Sequence, residues 1–165
     1  MAEDSRIHPP QDAGERASLL AFLDYQRATL AMKCGGLAED QLKQRAVPTS
    51  GLTLLGLVRH MAAVESSWFV VALDGADARA VWEGDVDEDF RVESADVVEA
   101  FGRWGAACDA SRDVLTRLPE LDHTVEYGGE RYSVRYVLLH MIEEYARHNG
   151  HADLLREAVD GRVGE

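Results

Sequence analysis

His140, Glu144 and His148 recur every four residues near the end of the chain, and His151 follows three residues later. Side chains four apart stand one turn above each other on the same face of an α-helix, so such a run can converge on one ion. At 100° per residue all four fall within about 80° of one another, and spacing alone leaves open which of them bind. A third ligand has to come from another helix. The other histidine in the middle of a strongly helical segment is His60. Two imidazoles and a carboxylate form a common zinc set that leaves a position open for water or substrate. A glutamate on an inner helix face is costly to bury unless a cation or donor compensates it. A lone histidine on an apolar helix is more often a hydrogen-bonded core residue, so His60 draws its interest from Glu144 and His148. His151 and Tyr145 are candidates for assisting proton transfer, with hydrogen bonding or packing as the simpler role for each. Glu143 and Arg147 lie to the sides and read as a surface ion pair of a few tenths of a kcal/mol.

Ligands on different helices need a scaffold that holds those helices together, and apolar periodicity supplies four long ones. The first runs from about Glu15 to Cys34 with Leu19, Leu20, Leu23, Leu30 and Ala31 as its stripe, closed by Gly35 and Gly36. A short helical turn follows around Ala38 to Arg45. Thr49 or Ser50 then caps a second helix carrying Leu54, Leu57, Val58, Met61, Val64 and Trp68, with His60 in its middle. Asp74 to Glu93 reads as a long loop, packed locally by Trp82 and Phe90 and containing no readable motif. Ser94 starts the third helix, with Val97, Val98, Phe101, Trp104, Ala107, Cys108, Val114 and Leu115 on one face, and the helix stops before Pro119. Gly128-Gly129 between two short alternating runs in Thr124 to Tyr132 signals a hairpin. Ser133 caps the last helix, which ends at Gly161. The expected fold is all-α: one domain over residues 1–165, a four-helix bundle with a long loop between its second and third helices and a short hairpin before the fourth. Residues 1–13 are expected to be flexible. Tyr25, Trp68 and Trp104 read as core packing.

The chain has 17 Lys and Arg against 30 Asp and Glu, a formal charge of −13. Phosphate binding depends on clustered basic residues, so nucleic acid is an improbable partner, and the acidic excess reads as a solvated surface. The two cysteines, Cys34 and Cys108, lie in helices outside any CxxC spacing, which argues against a disulfide framework or a cysteine zinc knuckle. The polar N-terminus lacks the blocks of a signal peptide, and no apolar run is read as long enough for a membrane span. A cytoplasmic protein with no membrane association is the expectation.

GLTLLGLVRHMAAVE, followed much later by LLHMIEEYARHNGHADLLREAVDG, resembles the DinB-like four-helix metalloproteins over nearly the whole chain. AFLDYQRATLAMKCGGL and ARHNGHADLLRE are similar to landmarks of the group known only as DinB-like domains of unknown function. The resemblance implies that His60, Glu144 and His148 hold a divalent metal, commonly zinc or nickel, with His140 and His151 as weaker alternatives. Most of these relatives have histidine at the place of Glu144 and often glutamine at the place of His151. A His, Glu, His set instead resembles the mycothiol-dependent maleylpyruvate isomerases and related thiol transferases, which favours zinc. Those isomerases carry a further C-terminal domain with no counterpart here, so their isomerisation is not carried over. The resemblance also implies a homodimer.

The function these features imply is a metal-dependent thiol S-transferase. A small-molecule thiol such as mycothiol would coordinate the ion, lose its proton and attack a small electrophile. Two alternatives remain: a hydrolase, which keeps the metal and would turn over without thiol, and a non-catalytic metal-binding or dimerisation module, which would have a closed coordination sphere or no metal. A polar cleft around His60 separates these readings.

Overall fold

The computed structural model describes residues 6–77 and 88–163 of the chain. Helix α1 spans Glu15–Cys34, as the apolar spacing predicts. Its end is left-handed only at Gly36, φ 74°; Gly35 is extended. Two carbonyls at that end, of Lys33 and Gly35, accept hydrogen bonds of 2.8 Å from the buried Arg156 guanidinium, supplying donors that a helix terminus lacks. The buried face of α1 differs from the predicted stripe. Ala31 is exposed, and Arg27 is buried with Leu23 and Leu30. A short helix α2, Glu39–Leu42, follows.

Helix α3 spans Leu54–Glu65 and is capped by Thr53, whose hydroxyl accepts from the Gly56 amide at 2.9 Å, and not by Thr49 or Ser50. Thr49 has φ 70° and belongs to a turn, and the Ser50 hydroxyl accepts from the Leu52 amide. Beyond Glu65 the helix continues as a wider π-helical stretch, Ser66–Leu73. Counting both parts, Leu54–Leu73 is long and apolar enough by composition to cross a membrane, which the apolar-run reading missed. More than half of it is buried inside the bundle, as a core helix would be.

Helix α4 spans Val97–Arg117 and is capped by Asp96, which accepts from the Glu99 amide at 2.8 Å. Ser94 lies too early to be the cap, and Val98, expected on the buried face, is exposed. Strands β1, Thr124–Tyr127, and β2, Glu130–Ser133, pair antiparallel. Gly128 and Gly129 both take positive φ, 62° and 84°, the conformation that a tight two-residue hairpin turn demands. Helix α5, Val134–Asp160, begins at Ser133, whose hydroxyl accepts from the Tyr136 amide, and ends at Gly161 in the left-handed region. The all-α expectation holds, with the hairpin as the sheet among the described residues. Helix α1 packs on α5 and α3 on α4, and α3 also meets α5 across the core. Met61, Leu138, Met141 and Tyr145 are fully buried there. The predicted local packing by Trp82 falls outside the described residues.

Candidate metal centre

Helix α3 presents His60 toward α5 one turn before its buried C-terminal end. Across from it, Glu144 and His148 occupy successive turns of α5. One ligand atom from each of the three residues falls within 4.8 Å of the others. Two atoms bound to one zinc at about 2.1 Å stand about 3.4 Å apart in tetrahedral geometry. A contraction of little more than an ångström, within reach of side-chain rotation, would bring all three to one ion.

The segment before α4 sets the orientation of His60. A 3-10 turn, Glu88–Phe90, lies against α3 because Arg59 donates to the carbonyls of Glu88 and Asp89 at 2.9 and 3.0 Å. Phe90 stacks on the His60 ring at 5.2 Å. It also approaches Gly56 so closely that a Cβ there would lie 3.2 Å from its ring. Asp89 is thereby brought to 3.3 Å from His60 Nδ1. A carboxylate can only accept, so Nδ1 carries the proton and the Nε2 lone pair is left for a ligand role. Asp89 is absent from the sequence-derived site because it falls in the stretch without periodicity or motif.

Burial and the neighbouring His60 push the His148 pKa down to about 4, so its imidazole is neutral at physiological pH. Glu144 is the least satisfied member. His148 Nε2 lies 3.4 Å from one of its oxygens, and Arg147 Nη1 and His140 Nε2 lie 3.7 and 4.0 Å from the other. It makes no hydrogen bond among the described residues, although its side chain is only 16 % exposed. A half-buried carboxylate short of protein donors, with the His60 and His148 imidazoles beside it, is a donor set that suits a divalent cation.

The remaining candidates separate. His151 contacts His148 through the two Nδ1 atoms at 3.4 Å. His140 leans away toward Trp68, ring centroids 4.6 Å apart. Glu143 and Arg147 form the predicted surface pair at 2.6 Å. Tyr145 turns from the cluster into the core, where its hydroxyl donates to Glu65 at 2.8 Å and accepts from Trp104 Nε1 at 2.8 Å. Glu65 is completely buried and also accepts two 2.7 Å bonds from Arg27 and one of 2.6 Å from Ser111. Burial opposes the Arg27 charge, but Glu65 outweighs it and holds the guanidinium above its ordinary range. Burial and the Glu65 charge raise Tyr145 well above the usual phenol range. This second polar cluster went unread in the sequence. Its one advance signal was a charge at the end of the apolar run that closes α3.

A four-helix bundle with a hairpin before its last helix and a His, Glu, His cluster between α3 and α5 is a protein of the DinB-like class. Within that class, the family described as Mycothiol-S-transferase matches residues 18–161, and the chain belongs to it. No curated protein matches the chain.

Proposed function

We propose that this chain is a metal-dependent S-transferase in which His60, Glu144 and His148 hold a divalent ion, zinc by ligand type, and a low-molecular-weight thiol is joined to a small electrophile. The observation that carries the reading is Glu144, a half-buried carboxylate without a side-chain hydrogen bond among the described residues, within reach of the His60 and His148 imidazoles. When bound, the ion supplies Lewis acidity that lowers the pKa of a coordinating thiol toward neutrality.

The chain's own residues do the rest. Asp89 fixes the His60 tautomer, and Arg147 and His140 border the carboxylate without saturating it. The nucleophile has to come from outside. Burial drives the pKa of Cys34 up to about 12, and burial together with Glu65 does the same to Cys108. Neither sulfur is a thiolate near neutral pH, so neither substitutes for an added thiol. Mycothiol is the thiol of the family's description, and we assign it here as the co-substrate.

The test is elemental analysis of protein purified without chelators, for wild type and Glu144→Ala, followed by assay of mycothiol conjugation. About one zinc per chain in wild type, lost in the variant, with conjugation that needs both metal and thiol, is the expected result. Turnover without thiol would replace the reading by hydrolysis. No metal after zinc is added back would end it.

A further inference from the structure

Beside the cluster lies a strip of aromatic rings that plays no part in holding the ion. Tyr136 and His140 precede Glu144 and His148 on α5 at the same four-residue step, so the line of side chains continues two turns toward the hairpin. The Tyr136 and His140 rings are parallel within 6°, with centroids 6.0 Å apart. Trp68, from the π-helical stretch, lies 4.6 Å from the His140 ring and 6.2 Å from that of Tyr136. Tyr132 of β2 meets Trp68 edge-on at 5.3 Å and Tyr136 at 5.5 Å. Trp68 and Tyr132 pack one side against the core, as expected of Trp68, but packing leaves the strip partly uncovered. Unlike Trp104, none of the four rings is buried, and Tyr136 is 49 % exposed. The inner end of the strip touches the cluster, where His140 Nε2 lies 4.0 Å from Glu144.

We propose that this strip is the binding surface for the electrophile, and that it selects flat, electron-poor conjugated acceptors such as quinones and cyclic enones over compact acyclic ones. This inference rests on the transferase reading. A group that a thiolate attacks is poor in electrons, and the faces of indole and phenol rings are rich in them, so stacking favours the molecules that react. The dimensions agree. Tyr136 and Glu144 are eight residues apart, about 12 Å along the helix axis, so a two-ring acceptor lying along the parallel Tyr136 and His140 rings, with the tilted Trp68 ring as its side wall, has its reactive edge beside Glu144. In the conjugate addition the thiolate sulfur bonds to the β-carbon, the C=C π pair shifts to the bond between the α-carbon and the carbonyl carbon, and the C=O π pair moves onto oxygen. The proton given up by the thiol returns to the α-carbon. No leaving group or oxidant is required.

The test uses 1,4-dicyanonaphthalene, which is flat, electron-poor and inert to thiols. It is titrated into zinc-loaded protein without thiol and followed by aromatic-region NMR. Perturbed Trp and Tyr signals in wild type, and binding at least tenfold weaker in both Trp68→Leu and Tyr136→Leu at equal zinc content, are expected, with Tyr136→Phe retaining binding. Absence of binding to wild type, or less than tenfold weakening in either Leu variant, overturns the proposal. A kinetic arm compares 1,4-naphthoquinone with ethyl vinyl ketone as acceptors for mycothiol. Tyr136→Leu is expected to lower the ratio of their kcat/KM values at least tenfold, and an equal loss on both acceptors also overturns the proposal. Binding is read without turnover, so failure of the stacking surface and failure of the transferase reading give different results.

Discussion

Glu65 and Glu144 are both carboxylates at the meeting of α3 and α5, and the chain treats them in opposite ways. Glu65 has donors at 2.6 to 2.8 Å from Arg27, Ser111 and Tyr145, and the Cys108 thiol at 3.7 Å. Glu144 has three nitrogens at 3.4 to 4.0 Å and hydrogen-bonds to none of them. A saturated carboxylate ties helices together and can do little else. An unsaturated one beside imidazoles keeps its lone pairs for a cation. Burial alone would have pointed to the wrong residue, since Glu65 is the deeper of the two. The difference lies in the supply of donors.

That contrast can be broken from either side. The largest effect belongs to the closed cluster. Glu65→Ala takes from the buried Arg27 its bidentate partner, leaving only the half-exposed Asp24, and should cost about 3 to 5 kcal/mol, read as a lower midpoint in urea unfolding of the metal-free protein. His60→Ala and His148→Ala act on the open cluster. Each should abolish stoichiometric zinc in elemental analysis while the urea midpoint of the metal-free chain stays close to wild type, and full zinc in both would end the ligand assignment. Asp89→Asn weakens the orientation of His60 without removing a ligand, so zinc affinity should fall by about 10- to 100-fold in a competition titration with a chromophoric chelator. The smallest effect is expected of Glu143→Ala. It removes only a surface ion pair, so stability should change by no more than about 0.5 kcal/mol and zinc content should be unaltered.

The elements that could be read in advance were those whose signal is local. The apolar step of α1 stops at two glycines, Gly128-Gly129 marks a turn by its need for positive φ, and Ser133 stands directly before an apolar helix. The helix face that carries the cluster was legible from spacing and His60 as a polar interruption of another helix, but spacing left His140, Glu144, His148 and His151 competing, and only the resemblance to the DinB-like metalloproteins singled out Glu144 and His148. Features set by tertiary contact were not legible. Thr49 and Ser50 have the chemistry of a cap, but the backbone spends them on a turn and Thr53 takes the role. Asp89 reaches His60 only because Arg59 and Gly56 dock its turn, and neither residue signals that from its own neighbourhood. Tyr145 has the spacing of a site residue, one position past Glu144, yet that step of 100° turns it into the core toward Glu65.

The burial of Cys34 and Cys108, 4 % and 5 % exposed, has a consequence for endurance. A protein bathed in thiol-seeking reagents is at risk of being alkylated by them, and every accessible sulfur is a route to self-inactivation. Here both sulfurs are withdrawn from solvent and kept protonated, so the folded chain is a poor target for the compounds it would process. The hazard returns only when the bundle opens, and the time course of cysteine labelling therefore reports the lifetime of the fold.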